Sequence, residues 1–308
     1  MLRNLAGTSP PRRRWRLVGR DPLLFAVPAL VLIAGLIVLP SLETLWLALV
    51  KPDGTFAGLS NFADVLADRE TLNLARFPGQ APPWGSLIHN ALWIAVHLPV
   101  TTGLGLLLAL ALQRVRGAGL LRGFIFLGMV MPMIVGGVLI RFLFDENAGI
   151  VNALLRSVGL EAWGRSWTAY PDTALLALIL GSVWLWAGFT MVLYSAGLAT
   201  IPRDFYEAAA VDGAGALQQF RYITLPALRP VTAVVVAMTV LWELKIFDIV
   251  YTATQGGPGG SSMVLALQMY FYAFRALDPH HSAAVATMLT LFTLVVGVWF
   301  VRTTGREE

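Results

Sequence analysis

The sequence contains no cysteine, which excludes disulfides, thiolate chemistry and cysteine-ligated zinc or iron-sulfur clusters. Charge is scarce as well: Asp, Glu, Lys and Arg make up 13% of the 308 residues, whereas 57% are hydrophobic. A chain of this length cannot hide so much apolar surface in a water-soluble core, so a lipid bilayer is the solvent it matches. Lysine is nearly missing. Lys51 follows Val50 and Lys245 follows Leu244, so neither has the Gly-Lys-Ser/Thr setting of a phosphate-binding loop, and no ATP site is encoded. The four histidines, His89, His97, His280 and His281, show no metal-ligand spacing such as HExxH. The net charge of +4 is not gathered on a soluble face, which argues against nucleic acid.

What the sequence has in abundance is long apolar runs. Six are of the roughly 20-residue length that crosses about 30 Å of hydrocarbon as a helix. They lie near Leu23 to Leu49, Leu87 to Leu112, Gly123 to Phe144, Ala174 to Leu198, Pro230 to Thr252 and Ala283 to Val301. The first is longer than the apolar part of a cleaved signal peptide and has no clear small-residue cleavage site, so it reads as a retained span. An anchor alone would need one span. The expected organisation is a cytoplasmic tail over 1–22, a six-helix membrane domain over 23–302 and a short cytoplasmic tail over 303–308, with no internal repeat. The fold class is all-α and polytopic.

Orientation follows from the basic residues in the connections. Arg3, Arg12, Arg13, Arg14, Arg16 and Arg20 precede the first run. Arg114, Arg116 and Arg122 join the second to the third; Arg203, Arg221 and Arg229 join the fourth to the fifth; Arg302 and Arg306 follow the sixth. With six crossings all of these share one side, which predicts that both termini are cytoplasmic in the inner membrane. The opposite loops carry Asp53, Asp64, Asp68, Glu70, Asp145, Glu146 and Glu161, and Trp84, Trp163, Trp167 and Tyr170 mark that interface.

One connection is too long for a turn and is patterned like folded structure: Ile201 to Pro230, IPRDFYEAAAVDGAGALQQFRYITLPALRP. Pro202 suits a first helical turn, Phe205 to Val211 favours helix, and Asp212-Gly213 is a helix stop in which the glycine can take positive φ. A second helical piece, Ala214 to Tyr222, is expected to end before Pro226. Phe205, Tyr206, Leu217 and Phe220 would then form an apolar surface away from lipid, which favours a protein partner.

This stretch resembles the EAA loop of binding-protein-dependent ABC transporter permeases: Glu207-Ala208-Ala209, then Gly213, then Ile223 and Leu225-Pro226 match in residue type and spacing. The resemblance covers all six runs and implies the type I ABC importer permease architecture. It also implies that Glu207, Ala208, Ala209, Asp212, Gly213, Phe220, Ile223, Leu225 and Pro226 couple this subunit to an ATPase. ATP and magnesium would be bound by two such partner subunits and not by this chain, which would be a transport subunit and no enzyme. A second homologous permease and an extracytoplasmic solute-binding protein would complete the importer. Phe247-Asp248, Thr254-Gln255-Gly256-Gly257-Pro258 and Tyr272-Ala273-Phe274 resemble the carbohydrate branch, including maltose-type and α-glucoside-type permeases. That implies a sugar cargo, either a di- or oligosaccharide or a glucoside. Gln255 departs from the pattern, standing where the first glycine of a TGGGP run is often found.

Polar residues within apolar runs mark the candidate path. Lys245, Asp248, Thr252 and Gln255 recur at helical intervals, and Lys245 can pair with Asp248. Trp242 and Glu243 fall on a different face, where Glu243 can bond to a neighbouring helix. Asn90, Trp93, His97 and Thr101 form a second stripe and Trp186, Thr190 and Tyr194 a third. Each stripe suits either helix packing or a sugar, whose ring faces stack on aromatics while its hydroxyls need partners. Two other functions fit six spans: an ion-coupled secondary transporter with Lys245, Asp248 and Glu243 as its relay, and a membrane scaffold with no path. The patterned loop favours the importer.

Overall fold

The computed structural model describes residues 21–113 and 115–304, so the arginines expected at 3–20, Arg114 and Arg306 lie outside the described residues. Two units divide the chain, one ending at Trp46 and the other beginning at Leu47. In the first, α1 (Asp21–Ile33) passes through a π-helical turn, Ala34–Val38, into α2 (Leu39–Ala48), whose last two residues belong to the second unit. That turn has a cause: Pro40 has no N–H to give and its ring crowds the preceding turn, and Leu39 N–H reaches back five residues to Ala34 O.

The second unit continues through α3 (Ser60–Ala67), α4 (Ser86–Ala111), α5 (Ala118–Val130), α6 (Met133–Leu143), α7 (Ile150–Ser157) and α8 (Pro171–Ala199). Then come α9 (Arg203–Val211), α10 (Ala216–Gln219), α11 (Leu225–Ala227), α12 (Arg229–Leu244), α13 (Asp248–Ala253), α14 (Leu265–Phe274) and α15 (Pro279–Thr304). The regular secondary structure of the described residues is all helical, with one isolated bridge between Val50 and Phe56. α8 is the central post: Leu175, Leu178, Ile179, Leu185, Met191 and Leu198 along it are all buried. α4 packs so closely against it that a Cβ on Gly105 would overlap the Thr190 side chain, which is how small residues let membrane helices approach.

Four helices are long and apolar enough to cross a membrane, Phe25–Ala48, Ser86–Ala111, Pro171–Ala199 and Pro279–Thr303. The count rises to six if each bent pair is one span. One pair, Ala216–Ala227 with Arg229–Leu244, is bent by 64°; the other lies in the third run, which is therefore not the continuous helix expected from the sequence. α5 and α6 meet at 104°, because Pro132 bars helix at Met131 and both residues are extended, with ψ of 141° and 134°. The fifth run, expected as Pro230 to Thr252, stops at Leu244 and resumes at Asp248.

No proline or glycine explains that second break. The explanation lies on α4. Glu243 O, which a continuing helix would bond to the N–H four residues on, instead accepts Asn90 Nδ2 at 3.1 Å and Ile246 N–H at 3.3 Å. Asn90 Oδ1 takes the N–H of Leu265 at 2.8 Å, the first residue of α14. One buried amide thus satisfies two open backbone ends where no water can.

Candidate functional site

The two breaks face the same space. A cavity of about 370 Å³ is lined by Met129 and Met133 from either side of the α5–α6 bend, Leu185 and Trp186 from α8, and Trp242 through Ile249 around the α12–α13 break, Glu243 and Leu244 excepted. Irregular backbone at membrane depth is tolerated where it lines such a space. The walls are aromatic and locked: Trp186 meets His97 edge-on at 5.5 Å and Trp242 at 5.6 Å, and Phe247 stacks on Tyr251 at 5.3 Å. Trp186 Nε1 is buried without a hydrogen-bond partner among the described residues. Lys245 and Asp248 are the charged members of the lining.

Several sequence expectations are relocated by this geometry. Lys245, Asp248, Thr252 and Gln255 do not share a face of one helix: Lys245 caps α12, Asp248 opens α13, and Thr252 and Gln255 line a different, more polar cavity. Among the described residues no ion pair joins Lys245 to Asp248, because the unwound turn between them removes the i,i+3 geometry. Trp242, expected on a different face from Lys245, lines the same cavity for the same reason. Glu243 does bond to a neighbouring helix, with Oε1 2.6 Å from His97 Nδ1.

The α4 stripe lies together but is enclosed by protein. Asn90, Trp93, His97 and Thr101 are all buried; Thr101 Oγ1 donates to His97 O at 2.6 Å, and Thr190 Oγ1 donates to Thr101 O at 3.0 Å. Tyr194, also buried, donates to Thr232 Oγ1 at 3.2 Å. Of the three expected on α8, only Trp186 lines the cavity. Met129, Met133 and Phe247 were missed as lining residues. Pro132 in the third run was the available signal for the first two, since a proline there implies a bend that turns its flanks inward.

The segment between α8 and α12 forms a second exposed feature. α9 ends at Val211, Gly213 has φ +81°, and the chain re-enters helix at Ala216. The second helical piece does not end before Pro226 as expected but runs to Ala227, because a π turn over Phe220–Thr224, closed by Leu225 N–H to Phe220 O, absorbs the proline. Phe205, Leu217, Tyr222 and Val211 are exposed, the last at 88%. Tyr206 and Phe220 are half-buried, and the Tyr206 hydroxyl is 2.9 Å from Thr224 Oγ1. Glu207 is exposed with no ion pair among the described residues.

Residues 101–304, which carry this segment and both helix breaks, match the family described as the binding-protein-dependent transport system inner membrane component. The chain belongs to that family. A protein named as a probable ABC transporter permease of Pyrococcus horikoshii is 52% identical over 92% of this chain and 98% of its own length. The trehalose/maltose transport system permease protein MalF of Thermococcus litoralis is 32% identical over 81% of this chain and 82% of its own. Among solved structures, a chain of a bacterial alginate ABC transporter, in complex with an alginate pentasaccharide-bound periplasmic protein, superposes with a TM-score of 0.76. It covers 96% of this chain and 98% of that one at 20% identity, a likeness of fold. The permease is thus an all-α polytopic membrane protein of ABC importer architecture and a transport subunit of a binding-protein-dependent system. Membership decides against the ion-coupled transporter and the pathless scaffold.

Proposed function

We propose that this permease forms the membrane path for a neutral sugar, with the cavity at the two helix breaks as the place where the sugar is held in transit. The observation that carries the reading is the wall itself: Trp186, Trp242 and Phe247 line it with aromatic rings suited to stacking, and Lys245 and Asp248 are its charged hydrogen-bonding groups. The 32% identical relative named for trehalose/maltose transport supports the same cargo class, a di- or oligosaccharide or a glucoside.

Both termini are cytoplasmic in this reading, and the segment at 201–230 docks on one of two separate ATPase subunits that bind ATP and magnesium. A second homologous permease closes the path, and an extracytoplasmic binding protein delivers the sugar. Closure of the ATPase pair pulls on α9 through α11 and rocks the helices between outward-open and inward-open states. The test is uptake by vesicles containing the complete importer, supplied with maltose, trehalose and a non-sugar solute. Uptake of a sugar that needs ATP and falls at least about tenfold in Trp186→Ala, the loss of a stacking contact, supports the assignment. Transport of only the non-sugar solute overturns the cargo class.

A further inference from the structure

A second cavity of about 440 Å³ opens at the far end of α13, and its character is different. Arg141, Asp145, Ser166, Thr168, Thr252, Thr254 and Gln255 give it one guanidinium, one carboxylate, one amide and four hydroxyls. Asp248 and Thr252 are one helical turn apart, so the six residues of α13, about 9 Å long, carry the aromatic cavity at one end and the polar cavity at the other.

The polar groups there are only partly used by the protein. Asp145 Oδ1 accepts the N–H groups of Asn147 and Ala148, each at 2.9 Å, while Oδ2 has no partner among the described residues. Those N–H donors, with Ala148 foremost, hold its carboxyl below the usual carboxylate range, so it is anionic at neutral pH. Arg141 makes no hydrogen bond or ion pair within 4 Å among the described residues. Gln255 Oε1 accepts from Arg275 at 3.3 Å, and Arg275 is itself held over the Phe271 ring at 3.8 Å. The side-chain nitrogen Nε2 of Gln255 donates to nothing among the described residues, whereas its backbone N–H donates to Val250 O at 2.9 Å.

Gln255 also has φ +52°, a left-handed conformation in which a side chain is strained and glycine is the natural occupant. The shape of the loop alone would be served better by glycine, so the strain points to a use for the side chain. The use consistent with its surroundings is recognition. A guanidinium and a carboxylate side by side can each engage two neighbouring hydroxyls, and their opposite charges suit a neutral ligand over an acidic or basic one.

We propose that this cavity is an outer sugar site, in which Gln255, Arg141 and Asp145 read the hydroxyls of a neutral sugar before it passes along α13 to the aromatic cavity. The inference rests on the sugar reading above. Its test is calorimetric titration of the full-length chain in lipid nanodiscs with maltose, trehalose and maltotriose. The wild type is expected to bind at least one of them, and Gln255→Gly and Arg141→Gln are each expected to weaken that binding about tenfold, the loss of a hydrogen bond to the ligand. Gln255→Gly should at the same time melt at or above the wild-type temperature, since the left-handed strain is relieved, which a purely structural role for the side chain would not produce. If Gln255→Gly melts lower, Arg141→Gln, a change to an exposed side chain, decides the matter. Unchanged affinity in both variants overturns the outer site and leaves the sugar path standing. Failure of the wild type to bind any of the three sugars overturns the outer site as well, while the sugar path stands or falls on the uptake measurement with the complete importer.

Discussion

At the scale of residues, Asn90 shows why polar spacing on an apolar helix is ambiguous. The stripe Asn90, Trp93, His97 and Thr101 correctly marks the face of α4 that turns away from lipid, and all four are buried. Spacing cannot say whether protein or cargo fills the interior on that side, because both satisfy the same donors and acceptors. Here Asn90 bonds the protein's own open backbone, Glu243 O and Leu265 N. Asn90→Ala would leave both groups short of a partner and is expected to destabilise the detergent-solubilised chain by about 2 kcal/mol. Thr293→Val, which removes an exposed bond to Thr290 O within its own helix, should change stability by less than about 0.5 kcal/mol. Equal melting shifts for the two would show that the Asn90 bonds do not hold the break together.

At the scale of elements, the long helices were legible because length and apolar content are properties of a window of sequence. The α5–α6 bend was legible in principle, since Pro132 sits within its run. The break after Leu244 was not: its cause is a side chain 153 residues away, and no local pattern in the fifth run records it. The positive φ of Gly213 was readable from Asp212-Gly213, whereas the π turn that carries helix past Pro226 was hidden because proline normally signals a stop. Close helix approach leaves a sharper trace. A Cβ at Gly105 would overlap Thr190 and come within 2.9 Å of Met191 N, while one at Gly103 on the same helix meets nothing within 4 Å. Gly105→Ala should therefore cost about 1–3 kcal/mol by forcing α4 from α8. Gly103→Ala, which only improves helix propensity, should be neutral or stabilising by up to about 1 kcal/mol. Thermal melts of the two variants in one detergent check this, and matching losses would mean that α4 and α8 are not held at this contact.

At the scale of the molecule, the coupling proposal requires that the exposed segment at 201–230 act on the ATPase subunits without touching cargo. The aromatic cavity and the segment are built from different residues, so a lesion in one need not alter the other. Gly213 offers a clean lesion, because a Cβ there meets no atom within 4 Å and only the backbone resists it. At φ +81° a β-branched side chain is strongly disfavoured, whereas asparagine tolerates the left-handed region better than other side chains. Gly213→Val should thus misdirect α9 relative to the helix that follows, Gly213→Asn should largely preserve it, and Glu207→Ala should remove an exposed charge available to a partner. In the assembled importer, the valine and alanine variants are expected to lose bound ATPase subunit, or to lose the stimulation of hydrolysis by loaded binding protein, by roughly tenfold, equivalent to about 1.4 kcal/mol at the joint. Sugar binding to the isolated binding protein should stay unchanged, and Gly213→Asn should keep most of the stimulation. A Gly213→Val importer that assembles, hydrolyses ATP on stimulation and takes up sugar at the wild-type rate would remove this segment from the coupling path, because the strain would then have displaced nothing the ATPase depends on.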